Sequence, residues 1–186
     1  VLRKQREMDA NFVMAAMEQY VQAVDAVQAV DAKPISQLTT NEYNAMLIGL
    51  LEGVLQQEGL TEVQTCISDG TDEGKQTVKA FKDLWHREWL TGVKELGVVV
   101  EGIPHLVKDC VHIGDDITKL ESWAVVFKDP SALPGIVKSN VTHSLIKLTR
   151  DLNKAKNEWK DETYYKFGTT LGEMLVIATQ PLNMDF

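Results

Sequence analysis

The stretch TTNEYNAMLIGLLEGVLQQEG, residues 39–59, carries the signals of one complete α-helix. Thr39 and Glu42 have the Thr-x-x-Glu spacing of a capping box, in which each side chain accepts a hydrogen bond from the other residue's backbone N–H. An apolar run follows, and Gly59 is the residue type that most often ends a helix. The stretch therefore predicts a helix that ends near Gln57.

Two pairs of glycines lie inside helical stretches at four-residue spacing: Gly49 with Gly53, and Gly168 with Gly172. A glycine in the middle of a helix costs about 1 kcal/mol relative to alanine. That cost is tolerated more readily where a neighbouring backbone has to approach closely. We therefore expect both pairs to be helix-packing sites, in contact with each other, unless their spacing is accidental.

The N-terminal part of the chain also has helical periodicity. Apolar residues separated by four or three positions predict one face of a long helix over about residues 3–31. The helix ends before Pro34, because proline disfavours helical backbone in the residue that precedes it. The apolar face consists of Val13, Met17, Tyr20, Val24 and Val27. We divide the chain into an N-terminal helix or arm, residues 1–33, and a helical bundle domain, residues 34–186.

Glycine, proline and polar turns divide the remaining chain into helical stretches. Outside Gly97–Val100, which itself lies in a helical pattern, no alternation typical of a strand lasts four residues. The predicted fold is all-α, an irregular multi-helix bundle of six to eight helices. Besides the two helices above, the expected segments are a short helix carrying Cys66 and helices near residues 75–88, 90–101, 105–127 (one or two helices, carrying Cys110), 135–158 and 162–179.

The composition is that of an ordinary globular protein. Hydrophobic residues make up 44% of the 186 residues and charged residues 25%, so intrinsic disorder is not expected. The net charge of −8 argues against nucleic acid or an anionic membrane as the main partner. No apolar run reaches the roughly 20 residues of a transmembrane helix, because Glu52 interrupts the run Ala45–Leu55.

The first residue, a sequon and the cysteines point to the secretory pathway. The sequence begins with Val1, so we expect a mature chain whose targeting segment has been removed. Asn140 lies in the single Asn-x-Thr sequon and is a candidate glycosylation site. Cys66 and Cys110 form no Cys-x-x-Cys pair, which disfavours metal chelation. They are either a disulfide, which would stabilise the fold by about 4 kcal/mol, or two buried thiols of a cytosolic protein.

The sequence contains no convincing catalytic or metal site. Residues 69–74, DGTDEG, resemble the start of a calcium loop, but Ala80 occupies the position that requires a bidentate carboxylate. His105, Asp109 and His112 have metal-ligand spacing on a helical face, although a nearby proline and glycine argue against a continuous helix. Nucleophile-elbow and phosphate-loop motifs are absent. We therefore expect a non-enzymatic protein without metal or cofactor.

Four motifs occur in order between residues 42 and 178. They are an apolar Gly-x-x-x-Gly block before the first cysteine, a proline turn before the second, an aromatic helix followed by proline, and a tyrosine pair followed by glycines. In this chain they are Leu47–Gly53 with Cys66, Ile103–Cys110, Trp123–Phe127 with Pro130, and Tyr164–Gly168 with Gly172. The set resembles a family of uncharacterised, two-cysteine, all-helical secreted or lumenal proteins abundant in ciliates. The resemblance implies a helical fold and a Cys66–Cys110 bridge, and it implies no activity.

Two functions fit these observations in a secreted or lumenal protein. In the first, the apolar face of residues 1–33 packs into a groove of the next copy and builds a homo-oligomeric filament, coat or matrix. The alternative for that helix is packing on its own domain. The second function is a carrier that holds a lipid, a pigment or another apolar small molecule between helices. Trp85 and Trp89, four positions apart, would then either pack in the core or line the cavity.

Overall fold

The computed structural model describes residues 33–56, 60, 63, 66–110 and 113–179, and all regular structure within these ranges is helical. The all-α prediction is confirmed there, with six α-helices and no strand. The predicted helix over residues 3–31, with its face of Val13, Met17, Tyr20, Val24 and Val27, lies outside the described residues. The helices are α1 (Thr40–Leu55), α2 (Thr71–Trp85), α3 (Trp89–Leu106), α4 (Gly114–Ala124), α5 (Leu133–Lys160) and α6 (Tyr164–Thr179), with 3-10 helices at Ile35–Gln37 and Val125–Lys128.

The capping box at the start of α1 is confirmed. The Thr39 hydroxyl accepts a hydrogen bond from the backbone N–H of Glu42 at 3.3 Å, and the Glu42 carboxylate accepts one from the backbone N–H of Thr39 at 2.7 Å. The helix ends at Leu55, and Gln56 follows in a left-handed conformation with φ 52°. Gln56 therefore takes the left-handed position that glycine more often occupies at helix ends.

Helix α3 runs further than its sequence predicts. The expected end was Glu101, before a glycine and a proline, but the helix continues through Pro104 to Leu106. Proline removes one backbone donor from the last turn of the helix. Burial of Ile103 and Leu106 in the core offsets that loss and keeps the turn helical. Cys110 lies in the turn after α3 and not on a helix, which corrects the segment expected near residues 105–127.

One helix ends at Trp85 and the next begins at Trp89, so these tryptophans do not share a helical face. Trp85 is the last residue of α2 and Trp89 the first of α3. Between them Arg87 adopts φ 64°, a left-handed conformation that turns the chain. Both side chains are partly buried and pack against the core.

The core forms around α1 and α6. Helix α1 packs most extensively against α6, which also packs against α5, while α2 packs against α3. The interior side chains with almost no exposure come from every helix. The largest of them are Tyr43, Phe167, Met46, Leu47, Ile48, Leu50, Leu51, Leu84, Leu96, Ile103, Leu120 and Leu133. A central pair of helices is thus enclosed by the other four.

A disulfide joins Cys66, in the segment before α2, to Cys110, after α3, with their Cα atoms 5.3 Å apart. Of the two alternatives for these cysteines, the bridge is the one observed. Ser68 adds to the same junction, because its backbone N–H and its hydroxyl both donate to the carbonyl of Leu106, at 3.0 and 3.2 Å. The bridge closes a loop that contains α2 and α3.

Candidate ligand-binding cleft

The two glycine pairs lie at the crossing of α1 and α6. A Cβ atom built on Gly168 would lie 2.9 Å from the backbone nitrogen of Leu50, and one built on Gly172 would lie 2.8 Å from that of Val54. Side chains there would therefore clash with the backbone of the neighbouring helix. From Gly168 to Gly172 the contact moves four residues towards the C-terminus of α6. On α1 it also moves four residues towards the C-terminus, from Leu50 to Val54, so the two helices run in the same direction.

Because α1 and α6 are parallel, their C-terminal ends lie on the same side of the molecule, and a cleft opens there. Helix α4 packs against α1 and forms the opposite wall. The cleft has a volume of about 560 Å³ and is more apolar than polar. The described residues that line it are Val54, Leu55, Gln56, Lys119, Leu120, Trp123 and Val176.

Trp123 is held in this wall by a chain of contacts. Its ring meets the ring of Phe127 edge to face, with centroids 5.0 Å apart. Phe127 in turn lies over Gly97 of α3, where an added Cβ would fall 2.5 Å from the Phe127 ring. Gly97 thus leaves the space that Phe127 needs, and Phe127 orients Trp123. Leu120, one turn before Trp123 on α4, is fully buried and lines the same cleft.

Two polar residues, Lys119 and Gln56, also line the cleft. The Lys119 ammonium lies 3.3 Å from the carboxylate of Asp116, one turn earlier on α4, and its side chain remains 68% exposed. Asp116 is largely buried and belongs to the first turn of the helix, where a negative charge is favoured by the helix dipole. The cleft therefore combines apolar walls with a single cationic group among the described lining residues.

A second depression, of about 460 Å³, lies against the glycine crossing and is lined by charged groups as well as apolar ones. Two of its charged side chains, Glu52 and Lys147, are engaged within the protein. Glu52 accepts hydrogen bonds from the Tyr165 hydroxyl and from the backbone N–H of Leu60. Lys147 donates to Asp151 at 2.8 Å. The Tyr165–Glu52 hydrogen bond joins α6 to α1, and the Lys147–Asp151 ion pair lies within α5, so we assign this depression a structural role.

The structure describes two of the three residues weighed as metal ligands, His105 and Asp109. Within the described ranges no group of histidine, cysteine, aspartate and glutamate has the arrangement of a metal site. His105 lies in the last turn of α3 and Asp109 in the turn after it, while His112 lies outside the described residues. Asp69, the first residue of the calcium-like segment, instead accepts hydrogen bonds from the Thr71 hydroxyl and backbone N–H, which lower the pKa of its carboxyl.

Asn140, the sequon asparagine, lies inside the fold. Its side chain is 3% exposed, and its amide donates to the carbonyl of Ala178 in α6 at 3.3 Å. An attached glycan would have to pass through the α5–α6 interface. The structure therefore argues against the expected glycosylation of Asn140 in the folded chain.

Few of the cleft residues carry a signal in the sequence. Trp123 belongs to an aromatic segment and Leu55 to an apolar run, whereas no motif marks Lys119, Leu120 or Val176. No spacing in the sequence could have shown that the cleft residues lie together, because they come from three helices that are distant in sequence.

None of the described helices is both long and apolar enough to cross a membrane.

Comparison with known proteins identifies a family for this chain. No curated protein and no solved structure matches this chain. A family model described as secreted protein B-like (SctB-like) matches residues 24–179, which include all six α-helices and both cysteines. The match begins before residue 42, where the resemblance in the sequence was expected to begin, so Val24 and Val27 lie within it. Since it covers most of the 186 residues, the chain belongs to the secreted protein B-like family.

Proposed function

We propose that this member of a secreted-protein family is a non-enzymatic carrier that binds an apolar small molecule in the cleft between α1, α4 and α6. One observation carries the proposal: the cleft of about 560 Å³ with its mainly apolar lining. Sites for small molecules and cofactors typically have volumes of about 300–1,000 Å³ and predominantly apolar walls. The cleft therefore has the size and the surface chemistry of such a site.

The construction of the walls also favours binding. Leu120 and Val176 line the cleft and are buried, so they are already ordered before a ligand arrives. Trp123 is held by Phe127 and therefore loses little side-chain freedom on binding. Each CH₂ group that a ligand buries against these side chains contributes about 0.8 kcal/mol.

Native mass spectrometry of the protein purified from its source is the direct test. A carrier is expected to retain a bound lipid, pigment or other apolar molecule, visible as a discrete mass increment on the monomer. Large oligomers without any such increment would contradict the carrier proposal and favour assembly.

A variant that fills the cleft makes the test specific to this site. Leu55→Trp adds bulk at a partly buried position that lines the cleft, and it is expected to abolish the mass increment. Ile146→Trp adds similar bulk at a side chain of α5 that is 78% exposed, and it should leave the increment unchanged. Retention of the ligand by Leu55→Trp would exclude the cleft as the site.

Self-association into a filament, coat or matrix is a second proposal, and it rests on a different part of the chain. The apolar face predicted for the N-terminal helix has five members, of which Val13, Met17 and Tyr20 precede the family match. An amphipathic helix that extends beyond the part matched by the family model is suited to contacts between copies, and a head-to-tail contact produces open-ended polymers if its rotation does not close.

Paired substitutions test the assembly proposal by light scattering. Met17→Glu with Val24→Glu places two charges on the apolar face and is expected to abolish association. Ala15→Glu with Gln22→Glu adds the same two charges away from that face, as a matched control. Unchanged scattering by the first pair would reject a role for the face in assembly.

A further inference from the structure

Resting on the carrier function proposed above, we infer that the ligand is a single-chain amphiphile with an anionic headgroup, such as a long-chain carboxylate. The hydrocarbon chain occupies the apolar cleft and the headgroup lies at Lys119. The inference depends on the charges of the described lining residues and on the contact between Lys119 and Asp116.

The lining of the cleft is chemically divided. Val54, Leu55, Leu120, Trp123 and Val176 offer only apolar surface apart from the indole N–H, and they suit an alkyl chain. Lys119 is the single charged residue among the described lining residues, and it contributes an ammonium group with three hydrogen-bond donors. A ligand with one apolar body and one anionic end matches both parts.

Lys119 is able to reach a ligand because it is only loosely held. Its contact with the Asp116 carboxylate is 3.3 Å long, and 68% of its side chain is exposed. The ammonium end of this ion pair is exposed, so the pair contributes little to stability. When a ligand carboxylate takes its place, the Asp116 carboxylate keeps the stabilisation of the helix N-terminus. Asp116 therefore acts as an internal competitor for the headgroup.

The experiment uses the full chain, stripped of bound ligand, and three probes with the same undecyl chain: laurate, undecanol and undecyltrimethylammonium. Isothermal calorimetry gives each affinity, and tryptophan fluorescence reports occupation of the cleft. Laurate is expected to bind about fivefold more tightly than the alcohol, equivalent to about 1 kcal/mol, and the cation more weakly than the alcohol. Added salt should reduce the preference for laurate.

Three variants assign the preference to Lys119. Lys119→Met keeps the length of the side chain and removes its charge, so laurate and the alcohol should bind equally while affinity for the alcohol is unchanged. Asp116→Asn removes the competitor and should strengthen laurate binding. Lys128→Met removes an exposed charge that does not line the cleft and should change neither affinity.

The outcomes separate this inference from the carrier function. Equal binding of all three probes by the unmodified chain, or a laurate preference that survives Lys119→Met, overturns the anionic headgroup and leaves the carrier function intact. Absence of binding by all three probes overturns the inference and counts against the carrier function as well.

Discussion

Gly53 of α1 and Gly172 of α6 face each other so closely that a Cβ atom added to Gly172 would lie 2.9 Å from the Cα atom of Gly53. Backbone is therefore packed against backbone at the centre of the fold. This contact sets the spacing of α1 and α6, which both contribute residues to the cleft.

Alanine at the crossing should destabilise the protein despite its better helix propensity. For Gly168→Ala and Gly172→Ala we expect a loss of about 1–3 kcal/mol or more, because the new methyl group meets backbone atoms that cannot move aside. Gly135→Ala, in α5 with no atom within 4 Å of the new Cβ, is the matched control and should be neutral or slightly stabilising. Urea denaturation of the three variants measures the difference, and equal stabilities would contradict the close approach.

Two buried tyrosines should respond in opposite directions to the same substitution. The Tyr164 hydroxyl is buried without a hydrogen-bond partner in the described part of the chain, and burial raises the pKa of Tyr164 to about 12. Tyr164→Phe should therefore stabilise the protein by about 1 kcal/mol, since the unsatisfied group is removed. Tyr43→Phe should destabilise it by a similar amount, because the Tyr43 hydroxyl donates to the carbonyl of Ile35 at 2.9 Å. Thermal unfolding of both variants tests the pair.

Ionisation of Tyr164 should also lower the stability of the protein in strong alkali. Its pKa is raised in the folded state, so the proton of Tyr164 is bound more tightly by the folded chain than by the unfolded chain. The resulting contribution to the free energy of unfolding is fully present below the unfolded pKa near 10 and is lost as the pH rises through about 12. Tyr164→Phe should remove this part of the alkaline transition. An identical alkaline transition in the variant would show that Tyr164 does not titrate differently on unfolding.

Glu42 should contribute to acid sensitivity. A hydrogen bond from Lys33 at 2.6 Å, and a second from the backbone of Thr39, lower the pKa of its carboxyl. A lowered pKa means that the stabilisation is present above the unfolded pKa of about 4.5 and is lost as the pH falls through the folded value. Glu42→Gln should flatten this acid dependence by less than about 1 kcal/mol, because the pair is partly exposed. Stability measured between neutral pH and strong acid checks it.

The Cys66–Cys110 bridge should be a large single contribution to stability. Closure of a loop with a sequence separation of 44 is worth about 4 kcal/mol in the chain-entropy model. The double variant Cys66→Ser with Cys110→Ser should lower the free energy of unfolding by about that amount, and reductant should lower the parent to the same level. A parent whose urea midpoint is unaffected by reductant would contradict this expectation.

Local signals in the sequence were sufficient for much of the fold. The capping box of Thr39 and Glu42 located the start of α1, since its chemistry involves residues three positions apart. The ends of helices were less predictable where tertiary contacts decide them. Pro104 lies inside α3 because Ile103 and Leu106 hold the last turn in the core, and the turn at Arg87 separates two tryptophans whose spacing alone favours one helix face.

The cleft could be identified only from the structure and not from the sequence. Leu55, Trp123 and Val176 have ordinary apolar side chains for their helices, and their spacing within each helix carries no sign of a shared cavity. Burial of Asn140 was equally unpredictable, because a sequon is defined by three adjacent residues and contains no information about the helix that packs against them. What the sequence did contain was the glycine spacing, from which close packing of two helices was expected.

The position of the disulfide has a consequence for the products of proteolysis. Any single cut in the chain between residues 66 and 110 would fall within the covalent ring that Cys66 and Cys110 close. Both fragments would stay tethered, and a nicked molecule would migrate as an intact chain on a non-reducing gel and separate only after reduction. The hairpin of α2 and α3 is thereby the segment in which the backbone can be severed without releasing a piece of the protein.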